Sequence, residues 1–144
     1  MSDLPEALAG IVAEFAEVSE PERLQLLLEF SEELPALPDR LADHPELLEP
    51  VPECQSPIFL TVEVEADDVV HLYFSAPAEA PTTRGFAGIL SQGLDGLPAA
   101  QVLAVPDDVP DRLGLRRAVS PLRLHGMTGM LMRIKRQVRE KTAS

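Results

Sequence analysis

Six prolines fall between Pro35 and Pro57, and their placement limits the fold more than any other feature of the chain. Proline fixes φ, lacks an N–H and pushes the residue before it out of the helical region, so neither a long helix nor a central strand can cross this stretch. It reads as connection laid over the surface, with a short helical turn near His44 to Leu48. The segments on its two sides must fold as separate kinds of element.

On the N-terminal side Leu4, Leu8, Ile11, Val12 and Phe15 recur at helical spacing, with Asp3 placed to cap and Pro5 in the first turn. Ser19 and Glu22 have capping-box spacing, and Leu24, Leu27, Leu28 and Leu34 form the stripe of a second helix that ends before Pro35. Beyond the connector the period changes to two. Leu60, Val62 and Val64 alternate with Thr61, Glu63 and Glu65; after Ala66-Asp67-Asp68, Val70, Leu72 and Phe74 alternate with Val69, His71 and Tyr73. This predicts a half-buried hairpin that stops at Pro77 and Pro81. Thr82 or Thr83 then caps a helix carrying Phe86, Ile89, Leu90 and Leu94, and Pro98 to Leu103 forms one more short helix. A final helix from about Pro121 to Glu140 buries Met127, Met130, Leu131, Ile134 and Val138, with Arg133, Arg136 and Arg139 outside. The order predicts one α+β domain over residues 1–144: two layers, a small antiparallel sheet of about three strands packed by helices, and helices at both termini.

A chain of 144 residues with 45% hydrophobic residues can bury roughly 70% of its unfolded surface, so it needs no disulfide or metal staple. One cysteine cannot close an internal disulfide, and one Cys with three scattered His falls short of a structural zinc site. No phosphate-binding glycine loop or metalloprotease motif is present, and we expect neither metal nor bound cofactor. Met-Ser-Asp-Leu-Pro-Glu is an acidic start without a long apolar core behind it, which predicts a cytoplasmic protein with no membrane span.

Charge is divided unevenly. Residues 1–111 hold 23 acids and three arginines, for a net −20, while residues 112–144 hold nine bases and Glu140, for +8. The acidic body disfavours nucleic acid and anionic lipid, and no aromatic residue interleaves with the basic end. That end serves as a solvated helix face, a counter-charge to the body, or a docking surface for an acidic partner. His44, His71 and His125 read as non-ligands. His125 is the exception worth testing as a base for Cys54, although a Cys–His hydrolase also needs an orienting group and an oxyanion hole that the sequence does not identify.

Cys54 lies in Val51-Pro52-Glu53-Cys54-Gln55-Ser56-Pro57, where flanking prolines imply a loop. A free cysteine often serves as a small buried apolar residue, but polar neighbours point instead to an accessible, nucleophilic sulfur. A carrier of persulfide sulfur works best with one thiol, because a second would discharge the product as a disulfide.

Several segments resemble one family. Glu53-Cys54-Gln55-Ser56-Pro57-Ile58-Phe59-Leu60 is similar to the Gly-Cys-Gln-Ser-x-Val-Trp-Leu segment of SufE-type sulfur acceptors, which take a persulfide from a group II cysteine desulfurase during iron–sulfur cluster assembly. Glu33-Leu34-Pro35-Ala36-Leu37-Pro38 looks like the family's Leu-Pro-x-Leu ending of an early helix, and Arg84-Gly85-Phe86 like its Arg/Lys-Gly-Leu helix start. Ser120-Pro121-Leu122-Arg123-Leu124-His125-Gly126-Met127 looks like its Ser/Thr-Pro-Ser-Arg-x-Asn/Gln-Gly-Leu entry to the last helix. The resemblance implies a SufE/scaffold-like fold in which Cys54 carries the persulfide, Gln55 and Ser56 shape its loop, and Arg123 stabilises thiolate or persulfide. It also implies that the chain stimulates a cysteine desulfurase and passes sulfur to an iron–sulfur scaffold complex, as a transpersulfuration partner and not an independent enzyme. Pyridoxal phosphate then belongs to the desulfurase alone, and the chain is a monomer or weak dimer. The alternative is a non-catalytic docking protein of the same fold. Three positions depart from the family pattern: Glu53 replaces glycine and sets a carboxylate beside the thiol, Phe59 replaces tryptophan, and Ser75-Ala76-Pro77 lacks an aspartate.

Overall fold

The computed structural model describes residues 3–142; Met1, Ser2, Ala143 and Ser144, counted within the expected domain, lie outside the described residues. Helices α1 (Glu6–Glu17) and α2 (Glu20–Glu32) form the opening hairpin. Leu8, Ile11 and Phe15 of α1 and Leu27 and Phe30 of α2 are buried, with the Phe15 and Phe30 rings stacked at 6.0 Å. Ser19 donates to the Glu22 carboxylate from its backbone N–H at 3.3 Å and its hydroxyl at 2.7 Å, as the capping-box spacing predicts. Two expectations fail here. Asp3 does not cap α1, whose cap position is Pro5, but pairs with Arg112 at 2.8 Å; Leu24 is exposed because the buried face of α2 runs through Leu27, Phe30 and Ser31.

The proline-rich connector contains α3 (Asp39–Ala42), a 3-10 turn at Pro45–Leu47, strand β1 (Glu49–Pro50) and a second 3-10 turn at Pro52–Cys54. β2 (Phe59–Val64) and β3 (Val70–Ser75) form the hairpin, and the antiparallel sheet order is β1-β2-β3. Its register opposes Leu60 to Phe74 and Val62 to Leu72, placing these four buried residues on the inner face. Asp68, at φ 65°, closes the turn expected at Ala66-Asp67-Asp68.

Helix α4 (Pro81–Leu94) is followed by short α5 (Ala99–Leu103) and α6 (Val109–Arg112), then by α7 (Pro121–Thr142). Helix α4 begins with Ala80 in the cap position, so Thr82 and Thr83 are buried members of its first turn and not caps. On α7 the expected stripe of Met127, Met130, Leu131, Ile134 and Val138 is fully buried. The three-stranded antiparallel sheet packed by helices is the α+β fold expected from the sequence.

The glycines of α4 explain how closely it packs. A Cβ on Gly85 would lie 2.5 Å from the Leu27 carbonyl oxygen, and one on Gly88 would fall on the carbonyl of Phe30, so α4 runs backbone to backbone along α2. Arg84 completes this junction by donating to the carbonyls of Ser31 at 2.9 Å and Ala76 at 2.7 Å. The Ser31 carbonyl lies in the last turn of α2, where helical carbonyls lack intrahelical partners.

Candidate functional site

Cys54 ends the 3-10 turn that Pro52 starts, and Gln55 follows in the left-handed region at φ 59°. The turn is closed locally: the Cys54 N–H reaches the Val51 carbonyl at 3.1 Å, the Gln55 N–H that of Pro52 at 3.1 Å, and the Val51 N–H that of Ile58 at 3.0 Å. The expectation of an accessible sulfur is wrong for this state. Cys54 is only 6% exposed, belongs to the hydrophobic core, and its thiol donates to the Gly126 carbonyl at 3.5 Å. Polar neighbours in the sequence misled because exposure changes from one residue of a tight turn to the next, Gln55 being exposed and Ser56 half-buried while Cys54 is buried.

Two glycines of α7 form the seat for this turn. A Cβ at Gly126 would sit 3.0 Å from Cys54 Cα and 3.1 Å from its sulfur, and one at Gly129 would sit 2.9 Å from the Glu53 carboxylate. Glu53 extends along the seat to Arg133, whose Nη1 donates to Oε2 at 2.6 Å. Glu49 of β1 lies 3.2 Å from Arg133 Nε, also pairs with Arg136, and accepts from Gln137 at 2.9 Å. Arg133 and Arg136 are therefore not outside, as the periodicity predicts; they are half-buried and tie β1 and the cysteine turn to α7, while Arg139 is exposed. Arg133 is the site residue the sequence reading missed. Its signal was Glu53 itself, an acid at a position that packs against a helix bearing arginines on the facing side.

On its other side the turn borders a cavity of about 220 Å³ lined by Cys54, Gln55, Ser56, Glu79, Leu122 and Arg123, together with Ala80, Pro81 and Thr83 of the α4 start. The structure thus brings all four residues singled out from the sequence around one cavity. Arg123 Nη1 donates to the Thr82 hydroxyl at 3.3 Å. Helix α4 starts here without a side-chain cap, so its amide dipoles and the Arg123 guanidinium both favour an anion in the cavity, with Glu79 as the opposing charge. His125 is exposed and lines a different cavity, with Pro110, Asp111 and Thr128; its place as a base for Cys54 is not supported by this geometry. Arg84 belongs to the α2–α4 junction and not to the site.

Burial first, and the Glu53 carboxylate second, push the Cys54 thiol up to about 12, against a smaller opposing effect of Arg133. The hydrogen bond from Arg133 holds the Glu53 carboxyl below its usual range. The seated thiol is consequently protonated and a poor nucleophile at neutral pH. Among the described residues, no group of three or more His, Cys, Asp or Glu is arranged to hold a metal ion, and no helix is long and apolar enough to cross a membrane.

Fold and site together define a small α+β protein built around one shielded thiol beside an anion-favouring cavity. The comparisons with known proteins give that class its family. The SufE family, described as the Fe-S metabolism associated domain, matches residues 9–138, and the chain belongs to it. It is 59% identical over 139 residues to an uncharacterized SufE-like protein of Mycobacterium tuberculosis, covering 96% of each chain. It is 28% identical over 132 residues to SufE-like protein 1, chloroplastic/mitochondrial, of Arabidopsis thaliana, covering 91% of this chain and 34% of that one. A solution structure of a hypothetical protein from Thermus thermophilus superposes with a TM-score of 0.84 at 38% identity, covering 98% of this chain and 99% of that one. Family membership assigns a sulfur-transfer role as an accessory protein and not as a stand-alone enzyme. Proteins of this family generally work with cysteine desulfurases and iron–sulfur scaffolds.

Proposed function

We propose that Cys54 is a persulfide carrier that accepts sulfur from a cysteine desulfurase and delivers it to an iron–sulfur cluster scaffold, stimulating the desulfurase by clearing its product. The observation that carries this reading is the position of Cys54 at the wall of a cavity shared with Arg123 and the uncapped start of α4. In the transfer, the Cys54 thiolate attacks the outer sulfur of the donor's persulfide. The donor S–S bond breaks, the donor cysteine leaves as a thiolate, and a new S–S bond joins the sulfur to Cys54, with no net oxidation. Arg123 and the α4 amides stabilise the anion before and after transfer, while Gln55 and Ser56 set the path of the loop. Pyridoxal phosphate chemistry belongs to the donor, and this chain contributes the thiol and its surroundings. The protein is expected to work in a reducing compartment such as the cytoplasm.

The test is intact mass after incubation with an active desulfurase and cysteine, before and after thiol reduction. One reducible sulfur on the native chain and none on Cys54→Ser is the expected result; equal sulfur on both would refute the carrier role. The depth of Cys54 and its raised thiol favour a second reading, a docking protein that stimulates a partner without carrying sulfur. On that reading Cys54→Ala leaves stimulation unchanged.

A further inference from the structure

A carrier thiol must reach its donor, yet here the turn bearing Cys54 is seated in a glycine groove and tied down by its own neighbour. We propose that Glu53 and Arg133 are positioning residues that lock the Cys54 turn onto α7, and that sulfur uptake requires this ion pair to open. The inference deepens the carrier reading and rests on it for its purpose.

Three observations support the lock. The Glu53–Arg133 contact, at 2.6 Å, joins the residue next to the thiol to a helix 80 positions further along the chain. Gly126 and Gly129 leave room for the turn and for no further atom, so the pair closes over a fitted seat. Glu53 Oε1 is buried without a hydrogen-bond partner, and Arg133 Nε is ion-paired with Glu49 at 3.2 Å without an aligned hydrogen bond, so closure leaves polar capacity unused that water satisfies on opening. Apart from the weak thiol bond to the Gly126 carbonyl at 3.5 Å, which ends as the turn lifts, the remaining hydrogen bonds of the turn are local. The 3-10 bonds of residues 51–55 travel with it, and β1 is only two residues long. The left-handed Gln55 marks the point where the turn rejoins the path toward β2. Opening therefore needs no disruption of the β2–β3 ladder or of α4.

The experiment measures iodoacetamide labelling of Cys54 in the native chain by intact mass at one fixed mildly alkaline pH, with Cys54→Ser as blank. The lock predicts that Glu53→Gln and Arg133→Gln each label about tenfold faster than the native chain, as expected for loss of a part-buried, charge-assisted bond. The double variant should label no faster than the singles, and Arg133→Lys should restore part of the protection. A purely electrostatic influence on a seated thiol predicts the opposite for Arg133→Gln, because that guanidinium favours the thiolate; slower labelling in this variant overturns the proposal. Labelling that rises in step with global unfolding in dilute urea overturns it as well, since a lock releases only the turn. Sulfur uptake from an active desulfurase in the same proteins separates the two ideas. Faster alkylation in both variants with no sulfur uptake by any protein sinks the carrier reading and leaves the lock. Normal uptake with unchanged alkylation sinks the lock and leaves the carrier.

Discussion

Helices α4 and α7 both approach a neighbour through glycines, but only α7 fastens its neighbour with charge. Nearly every α4 residue is buried, and Gly85, Gly88 and Gly93 bring its backbone against Leu27, Phe30 and Leu8 with no room for a side chain. Helix α7 also buries an apolar stripe and seats the cysteine turn on Gly126 and Gly129, but what fastens that turn and β1 to it is charged: Arg133 with Glu53 and Glu49, and Arg136 with Glu49, joined by the Gln137 amide on Glu49. Contact between packed backbones has no substitute in water. An ion pair can exchange its partner for water or for another protein's charge at small net cost. Cys54 sits on the exchangeable side.

The sharpest way to break this contrast is to add one methyl group to each helix. Gly88→Ala sets a Cβ on the Phe30 carbonyl, so α2 and α4 must separate, and we expect a loss of about 3 kcal/mol in urea denaturation. Gly126→Ala meets Cys54 Cα at 3.0 Å, but the turn can lift, so the expected loss is about 1 kcal/mol together with faster thiol labelling. Equal losses, or labelling unchanged in Gly126→Ala, would erase the difference between the two faces.

Arginine substitutions sharpen it next. Arg84 donates to two backbone carbonyls at the α2–α4 junction, and Arg84→Met leaves them short of a donor, an expected cost of about 2 kcal/mol. Arg136→Met removes a half-exposed pair with Glu49 and should cost less than about 1 kcal/mol in the same denaturation measurement. A larger loss from Arg136→Met would show that the charged face is not the weaker one.

The same contrast explains what was legible in the sequence. Helices α1, α2, α4 and α7 and the hairpin were readable because their apolar residues recur at a fixed period over several turns, as Leu60, Val62, Leu72 and Phe74 do. β1 was not, since two residues, Glu49 and Pro50, carry no period and pair only through long-range contact. Cys54, Gln55, Ser56 and Arg123 were readable from local motifs, and they do meet at one cavity. The depth of Cys54 and the inward use of Arg133 were not, because both depend on a turn 80 residues earlier closing over α7. Periodicity marks charged positions as outer and has no means of knowing that another charged segment will cover them. The glycine pair Gly126 and Gly129 was the local trace of that cover.

Acid tests the charged face as a whole. Arg133 holds the Glu53 carboxyl low; for Glu49, burial acts upward, but Arg136, Gln137 and Arg133 together bring it below its ordinary value. Groups with depressed values contribute stability that is fully present above about pH 4.5 and is lost as pH falls through their folded values. Cys54 labelling by a dipyridyl disulfide, which reacts with thiols in acid, should therefore accelerate below about pH 4.5 before global unfolding begins. Labelling that follows only the global transition would deny the charged face its independence. In Glu53→Gln the acid acceleration should shrink to the part due to Glu49.

The smallest expected effect lies at an ionic contact on the α4 side. His71 of β3 lies 3.2 Å from Glu65 through Nε2 and 3.5 Å from Asp95 through Nδ1, and Asp95 also accepts the Leu72 N–H at 2.7 Å just past the end of α4. Burial acts to lower the imidazole, but Asp95 and Glu65 outweigh it and leave His71 above its ordinary value, with Glu63 as its cross-strand neighbour. A raised histidine contributes stability that is fully present below about pH 6.5 and is lost as pH rises through the folded value. The expected change is ~0.5 kcal/mol across that window, absent in His71→Gln. Because this contact joins β3 to the apolar face, labelling of Cys54 should not respond to the substitution. A labelling rate that did respond would couple the two faces, and the cysteine turn could then no longer open while α4 stays in place.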